Sequence, residues 1–297
     1  MVLGGKDILS KARFYYYVPG AFGKMIFSIV RQRDLTMQDL QVLLFLLLTP
    51  WRYILGFKGE LRTPLGKVQV KNREKMKAVA YGTFKTHFSY LKNLTSLFQG
   101  KLSFPVLVDV GANIGDFSLT MAPYCGRVIA LEPGSENFAA LESNITRNRL
   151  PNVLPLNVAA SDSEGVLRMA GSGGMLHVAN YGESELAKGV VLDQLFDGLR
   201  LEHIDLVKID VQGHEEKVIT GMDKSLDGKR VGLLIVEAHM FHHVHPSTII
   251  SKMESKGYKL ILKEDYLWNQ PHLYFVANGG TDQTELGSIT TASEESS

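Results

Sequence analysis

The sequence predicts an α/β protein in which a doubly wound, mostly parallel sheet ends in an antiparallel hairpin. After residue 104 of the 297-residue chain, strand and helix patterns alternate. Short β-branched and apolar runs are typical of strands buried on both faces, and the segments between them have helical spacing. Ligands of such sheets bind beyond the carboxyl ends of the strands. The residues that follow each strand are therefore the candidates for function.

The elements follow one another with recognisable starts and stops. Residues 59–70 alternate around a Pro and Gly turn and predict a β-hairpin. Ser135 is placed to cap the helix after the second strand of the sheet. The predicted order is strand 106–110, helix to about 123, strand 127–133, helix 135–149, strand 153–161, a turn-rich insertion to about 190, helix 192–199, strand 204–213, helix 213–221, strand 231–239, helix 247–256, and a hairpin of 258–264 with 272–277.

Charge and composition divide the chain into three expected parts. The first 104 residues carry 17 Lys and Arg against 5 Asp and Glu, which leaves 15 and 26 of the totals of 32 and 31 for the rest. We expect a basic helical extension over 1–59 and a sheet domain with an N-terminal hairpin over 60–278. Residues 279–297 are polar, Ser/Thr-rich and acidic, which predicts a disordered tail.

The basic N-terminal third also contains two apolar and aromatic runs, at 13–30 and 42–57. Neither reaches the roughly 20 apolar residues of a membrane span, so no transmembrane segment and no cleavable signal is expected. Three alternatives stay open: helices packed on the main domain, a homodimer interface, or a basic amphipathic surface in peripheral contact with an anionic membrane. A single cysteine, Cys125, fits a reducing compartment. The expected location is cytoplasmic, with peripheral membrane contact in the third alternative.

A glycine-containing turn follows the first strand of the sheet domain. Gly111, Ala112, Asn113 and Gly115 stand between the strand and the next helix. Such a turn exposes unpaired backbone N–H groups at the positive end of the helix dipole. The glycines remove side chains where a ligand approaches the backbone, and Asn113 tolerates a left-handed conformation. The pattern predicts a binding site for a small ligand.

Acidic and polar residues at two further strand ends indicate a nucleoside ligand. Glu132 ends the second strand, about 21 residues after Gly111, where a carboxylate accepts the hydroxyls of a ribose. Ser161 and Asp162 end the third strand, and a carboxylate there can accept the exocyclic amine of adenine. The turn has no G-x-G-x-x-G register, so S-adenosyl-L-methionine is favoured over a dinucleotide.

Seven ordered motifs carry a family resemblance over roughly residues 60–277. The chain resembles the FkbM-type family of S-adenosylmethionine-dependent methyltransferases in VLVDVGANIGDFSL, VIALEP, ENFAALESNITRN, LNVAASDSEG, VVLDQL, LVKIDVQGHE and LIVEAH. The resemblance implies a class I (Rossmann-like) methyltransferase fold with a mixed seven-stranded sheet, here carrying a mainly helical N-terminal extension. It implies a cofactor pocket formed by Asp109, Gly111, Asn113, Gly115, Glu132, Ser161, Asp162 and Asp210.

The resemblance places the acceptor chemistry at the ends of the fourth and fifth strands. Candidate bases there are Asp210, His214, Glu237 and His239, because methyl transfer to a hydroxyl needs alignment and removal of a proton. The family usually has Glu-Gly-Ala-Glu where this chain has Gln212 to Glu215. The histidine-rich stretch 239–245 could, together with Asp210 and Glu237, offer a divalent-ion site, but its spacing matches no specific metal motif, so no metal site is expected.

The sequence favours O-methylation of a hydroxyl on a glycan, a lipid-linked saccharide or a secondary metabolite. A nucleic-acid methyltransferase is an alternative that the basic N-terminal third would suit. The sequence disfavours it because the Asn/Asp-Pro-Pro-aromatic motif of many such enzymes is replaced by Asp210-Val-Gln-Gly. A cofactor-binding module without turnover is the other alternative. A nicotinamide oxidoreductase is disfavoured because no Tyr-x-x-x-Lys dyad stands where a short-chain dehydrogenase needs it.

Overall fold

The computed structural model describes residues 36–55, 57–64, 66–71, 73–171, 176–178, 185–265 and 270–278. The chain forms two compact units that divide after His87. The aromatic run at 13–30 and the predicted tail at 279–297 lie outside the described residues, and the expectations for them stay predictions.

The first unit contains a helix, a hairpin and a second helix. Its elements are α1 (Met37–Ile54), β1 (Gly59–Thr63), β2 (Gly66–Val70) and α2 (Arg73–Lys85). Strands β1 and β2 pair antiparallel, which confirms the predicted hairpin. The start of α1 is capped because the Thr36 N–H and hydroxyl donate to Asp39 Oδ2 at 2.7 and 2.8 Å. Within the described ranges, no helix is both long and apolar enough to cross a bilayer.

The elements from residue 86 onward build the sheet and its covering helices. The helices are a π-helix at Thr86–Leu91, α3 (Lys92–Leu97), α4 (Asp116–Met121), α5 (Ser135–Asn148), α6 (Leu192–Gly198), α7 (Glu215–Thr220), α8 (Asp223–Asp227) and α9 (Pro246–Ser255), with 3₁₀ turns at Ala122–Tyr124 and Met240–His242. The strands are β3 (Phe104–Val110), β4 (Cys125–Leu131), β5 (Val153–Leu156), β6 (Ala159–Ser161), β7 (Gly165–Ala170), β8 (His177–Val178), β9 (Glu185–Val191), β10 (Ile204–Ile209), β11 (Val231–Glu237), β12 (Tyr258–Glu264) and β13 (His272–Ala277).

Seven of these strands form one mixed sheet in the order β12-β13-β11-β10-β3-β4-β5. Strands β11, β10, β3, β4 and β5 run parallel, and β13 is antiparallel to both β11 and β12. The order reverses direction at β3, so the carboxyl ends of β3, β4, β10 and β11 meet along one edge. The predicted class I, Rossmann-like seven-stranded sheet with an antiparallel end is confirmed.

The sheet is covered on both faces, which explains its nearly continuous apolar strands. Alternate residues of each strand point to opposite faces, so Val108 and Val110 belong to one core and Leu107 to the other. The first core includes side chains of α6, α7, α8 and α9. The second includes side chains of α3, α4 and α5. The polar residues after the strands are therefore held on a rigid, fully packed support.

The region predicted as one strand and a turn-rich insertion is organised differently. The strand expected at 153–161 is divided into β5, in the large sheet, and β6, in a separate four-stranded sheet of order β6-β9-β7-β8. The break falls at Asn157, whose side-chain amide donates to the carbonyl oxygens of Glu132 and Pro133 at 2.9 and 3.0 Å. The insertion contributes β7, β8 and part of β9, so it forms a small sheet rather than turns alone.

The fold depends on the absence of a side chain at Gly111. Its φ is +83°, and a Cβ atom there would overlap the backbone carbonyl oxygen of Asp210. Gly100 has a nearly equal φ of +80° but nothing within 4 Å of the corresponding position. We expect Gly100→Ala to lower the free energy of unfolding by about 1–2 kcal/mol, the backbone cost alone. Gly111→Ala should cost more than about 3 kcal/mol because the ends of β3 and β10 must separate.

Urea unfolding of both variants and the unchanged protein measures this difference. Equal costs for the two substitutions would show that β3 and β10 do not pack this closely at Gly111.

Candidate functional site

The glycine turn after β3 has the left-handed backbone that the sequence predicts. Gly111, Asn113 and Gly115 have φ values of +83°, +51° and +94°. The N–H groups of Gly111 and Ala112 both donate to the Leu131 carbonyl oxygen, at 3.0 and 2.9 Å, which joins the turn to the end of β4. Within the described residues, the buried Asn113 Oδ1 accepts no hydrogen bond. The turn therefore presents an acceptor oxygen that suits a ligand carrying an amine or hydroxyl donor.

Glu132 lies at the carboxyl end of β4 and faces this turn. Glu132 is 4% exposed, and its carboxylate accepts hydrogen bonds from the N–H groups of Asn113 and Gly134 at 2.8 and 3.0 Å, and from Asn137 Nδ2 at 3.3 Å. Burial raises the pKa of Glu132 to about 7, and the three hydrogen bonds offset part of that rise. Its charge consequently changes near neutral pH, where a ligand can influence it.

The buried Lys208 connects the carboxyl end of β3 with the carboxyl end of β10. Its Nζ lies 3.0 Å from Asp109 Oδ1, 3.1 Å from the Gly111 carbonyl oxygen and 3.5 Å from Asp210 Oδ2. Asp109 is fully buried and also accepts a hydrogen bond from Ser118 Oγ at 2.6 Å. The carboxylate of Asp109 thus holds the turn through Lys208, and direct contact of Asp109 with a cofactor stays a prediction.

Ser161, Asp162 and His214 form a second group. Ser161 Oγ lies 2.9 Å from His214 Nε2 and donates to Asp162 Oδ1 at 3.2 Å. Lys217 Nζ contacts Asp162 Oδ2 at 2.5 Å, and this hydrogen bond lowers the pKa of Asp162. Burial lowers the pKa of His214, which keeps its imidazole neutral at pH 7. His214 therefore lies with the predicted adenine residues.

The other three predicted catalytic residues come together where β10 and β11 end. One side-chain atom each of Asp210, Glu237 and His239 lies within 4.8 Å of the other two. His239 Nε2 is 3.6 Å from Asp210 Oδ1 and 3.7 Å from Glu237 Oε1. We call these three residues the acid–histidine cluster. Of the four histidines in the stretch 239–245, only His239 belongs to it.

Buried side chains outside the acid–histidine cluster contact its members and fix their orientation. Glu215 Oε1 accepts a hydrogen bond from His239 Nδ1 at 2.6 Å. Burial favours a lower pKa for His239, but this hydrogen bond and the charges of Glu237 and Asp210 raise it to about 9. The Tyr90 hydroxyl donates to Glu237 Oε2 at 3.1 Å, and His272 Nε2 lies 3.4 Å from the same oxygen.

Sequence reasoning missed the supporting residues, which are Lys208, Gln212, Glu215, Tyr90 and His272. Two of them are cross-strand neighbours of predicted residues: Lys208 pairs with Asp109 between β10 and β3, and His272 pairs with Glu237 between β13 and β11. Only the polarity of a lysine within the apolar run 204–209 signalled Lys208 in advance. Tyr90 is a π-helix residue far away in sequence, and nothing in the pattern indicated its role.

Comparison with known proteins identifies the family. The sequence pattern of the Methyltransferase FkbM domain matches residues 109–260, which is about half of the chain. The chain belongs to the FkbM methyltransferase family. Its activity is methyl transfer, and its cofactor is S-adenosyl-L-methionine.

Two relatives and one solved structure are similar to this FkbM methyltransferase. The hexuronic acid methyltransferase AglP of Haloferax volcanii is 32% identical over 175 residues, covering 54% of this chain and 69% of that protein. The methyltransferase sdnD of Sordaria araneosa is 29% identical over 194 residues, covering 52% and 74%. The magnesium protoporphyrin IX methyltransferase of Synechocystis is 14% identical, covers 83% of this chain and 99% of that chain, and has a TM-score of 0.44, too low to bear on substrate.

The residues around the glycine turn fit S-adenosyl-L-methionine. Asn113 Oδ1 is a buried acceptor whose hydrogen-bonding capacity no described residue uses, and Glu132 offers a buried carboxylate at the adjacent strand end. A ligand with an amino group and a ribose supplies donors for both. Contact of these residues with the cofactor stays a prediction.

We expect Glu132→Ala to weaken binding of S-adenosylhomocysteine by about 1–3 kcal/mol, because the ribose hydroxyls lose their buried acceptor. Glu142→Ala is the matched control, since Glu142 is exposed on α5. Isothermal titration of both variants measures the difference. An unchanged affinity in Glu132→Ala would refute the ribose role.

The raised pKa of Glu132 predicts that cofactor affinity depends on pH. The ionised carboxylate accepts the ribose hydroxyls, so a proton competes with the ligand below the pKa of about 7. We expect S-adenosylhomocysteine to bind about tenfold more weakly at pH 6 than at pH 8. Glu132→Gln should lose most of this slope. If the variant kept the full slope, the pH dependence would come from another group.

Proposed function

We propose that this methyltransferase transfers the methyl group to a hydroxyl oxygen of a glycan or a similarly hydroxylated acceptor. The acid–histidine cluster is the observation that carries the proposal. Asp210 and Glu237 place two carboxylates at the neighbouring ends of β10 and β11, beside the glycine turn that fits the cofactor. Such carboxylates can accept hydrogen bonds from hydroxyl groups and hold a sugar ring in one orientation.

Bound S-adenosyl-L-methionine supplies an activated methyl group on a sulfonium, so the protein's part is to orient the attacking oxygen and remove its proton. Glu237 is 1% exposed, and its Oε2 is held by Tyr90, so its Oε1 is directed at the cluster. We assign Glu237 and Asp210 the binding of the acceptor hydroxyl and the acceptance of its proton. His239 positions them, because its Nδ1 is fixed by Glu215.

The proposal separates the two histidines that the sequence grouped as candidate bases. His214 contacts Ser161 and lies with the residues predicted to bind adenine. A neutral imidazole there suits contact with the base or with the Ser161 hydroxyl. His214 could remove the proton only from an acceptor that reaches both the acid–histidine cluster and the group formed by Ser161, Asp162 and His214.

Similarity to AglP supports a sugar acid as the acceptor class, because that relative's name states a hexuronic acid. A hexuronic acid has two kinds of oxygen nucleophile, hydroxyl and carboxylate. The cluster contains two carboxylates, which repel an anionic acceptor group more than a neutral hydroxyl. The hydroxyl is therefore the proposed methylated group, and methyl ester formation is an outcome that the assay distinguishes.

The assay uses the full chain, labelled S-adenosyl-L-methionine and three acceptors: an oligosaccharide containing hexuronic acid, its carboxyl-reduced form, and RNA. We expect label in a base-stable ether on both saccharides and none on RNA. A base-labile product on the unreduced saccharide alone would assign the carboxylate instead. Transfer to RNA would favour the nucleic-acid alternative, and binding of S-adenosylhomocysteine without transfer to any acceptor would favour a module without turnover.

Glu237→Gln should reduce methyl transfer by about 100-fold or more, since it removes a charged proton acceptor while preserving side-chain shape. Its affinity for S-adenosylhomocysteine should change less than about threefold, because the cofactor contacts are assigned to other strand ends. Glu254→Gln, at an exposed position of α9, is the matched control and should retain full activity. Steady-state rates give the loss of methyl transfer, and titration with S-adenosylhomocysteine gives the change in affinity. Full activity in Glu237→Gln would remove Glu237 from the mechanism.

A further inference from the structure

We propose that the acid–histidine cluster is a binding site for a divalent cation, with Asp210, Glu237 and His239 as ligands. One donor atom of each residue lies within 4.8 Å of those of the other two. His239 Nε2 lies 3.6 Å from Asp210 Oδ1 and 3.7 Å from Glu237 Oε1. Ligands about 2.0–2.2 Å from one ion are separated from each other by roughly 3–4.4 Å. The spacing therefore leaves room for an ion between them.

The histidine is oriented as a metal ligand requires. A carboxylate oxygen only accepts, so the 2.6 Å contact between Glu215 Oε1 and His239 Nδ1 places a hydrogen on Nδ1. The other ring nitrogen, Nε2, then faces the two cluster oxygens. A buried carboxylate that fixes the distal nitrogen of a ligating histidine is the usual second-sphere arrangement of metal sites. Glu215 and His239 are both fully buried, which makes this orientation rigid.

The two carboxylates are oriented in a similar way. Glu237 Oε2 is held by the Tyr90 hydroxyl at 3.1 Å and lies 3.4 Å from His272 Nε2, while Oε1 faces the cluster. Lys208 Nζ lies 3.5 Å from Asp210 Oδ2, while Oδ1 faces the cluster. In each carboxylate, one oxygen contacts buried support and the other faces the site.

Gln212 supplies an independent indication of a ligand. Its amide nitrogen lies 2.6 Å from His239 Nε2 and 3.2 Å from Asp210 Oδ1, whereas its buried Oε1 accepts no hydrogen bond from any described residue. A half-turn of the amide exchanges the two atoms, which have nearly the same shape. Oε1 would then lie 2.6 Å from His239 Nε2 and 3.2 Å from Asp210 Oδ1. Because 2.6 Å is shorter than the separation of two ligands of one ion, the amide oxygen lines the proposed site and would ligate the ion only after moving away from Nε2.

The donor set selects the class of ion. Two carboxylates suit Mg²⁺, Ca²⁺ and Mn²⁺, whereas an imidazole suits Zn²⁺, Fe²⁺ and other transition ions. Mn²⁺ is accepted by both kinds of ligand and is the probe of choice, with Mg²⁺ as a weaker competitor. This step rests on the proposed function: an ion here would bind acceptor hydroxyls and lower their pKa, as a bound ion does for water.

The experiment titrates Mn²⁺ into the full chain after removal of metals with a chelator, and follows the signal of aqueous Mn²⁺ by electron paramagnetic resonance. We expect one saturable site per chain, with electron spin-echo modulation from one ¹⁴N ligand. His239→Ala should remove that modulation and weaken Mn²⁺ binding at least tenfold. The double variant Asp210→Asn, Glu237→Gln should abolish binding. His245→Ala is the control, because His245 is exposed in the same stretch but outside the cluster.

Circular dichroism and urea unfolding report whether each variant has folded, because Asp210 is itself predicted to belong to the cofactor pocket and cofactor binding is therefore no neutral control. No saturable Mn²⁺ binding below about 1 mM, or equal binding by the unchanged protein and all variants, would overturn the proposed site. Specific Mn²⁺ binding without methylation of any acceptor would leave the site standing and refute the proposed acceptor class. Full methyl transfer by metal-free protein that binds no Mn²⁺ would refute the metal site and leave the proposed acceptor class standing.

Discussion

The site depends on one buried ammonium group, Lys208 Nζ, at the point where β3 and β10 end. It contacts the Asp109 carboxylate and the Gly111 carbonyl oxygen and lies near Asp210. An ammonium group loses several kcal/mol of hydration on burial, which only close partners of opposite charge recover. Lys208 can therefore be buried only if Asp109 and the glycine turn are in place. The charge fixes the relative position of the cofactor turn and the acid–histidine cluster.

The close approach of Gly111 to Asp210 also fixes the position of the glycine turn relative to the acid–histidine cluster, through backbone packing rather than charge. The turn can pass under the end of β10 only because residue 111 has no side chain and a positive φ. Backbone packing and the Lys208 ion pairs thus bring two sites together that lie about a hundred residues apart in sequence. In a methyl transfer by in-line displacement, such alignment of donor and acceptor is the main contribution of the protein.

Local sequence patterns predicted the parts of the fold that depend on local physics. Strands β3, β10 and β11 are apolar because both faces are covered, and Glu132 follows a strand at the offset that a ribose contact needs. The division of the third strand was missed because it depends on Asn157 binding carbonyl oxygens near residue 132. The support of Glu237 by Tyr90 and His272 was missed because register and tertiary packing, which a single sequence does not contain, bring these residues together.

The hydrogen bond from His239 to Glu215 bears on which group of the cluster accepts the proton of the acceptor hydroxyl. With Nδ1 carrying its hydrogen, Nε2 either bears a proton, binds a cation through its lone pair, or accepts a hydrogen from the Gln212 amide. The first two states place positive charge between the carboxylates of Asp210 and Glu237, and in both Nε2 has no lone pair left for a proton from an acceptor hydroxyl. In the third state the lone pair is engaged by the amide, whereas the carboxylates lie beside it as stronger hydrogen-bond acceptors. We therefore infer that a carboxylate of the cluster accepts the proton, and that His239 serves to hold those carboxylates in place.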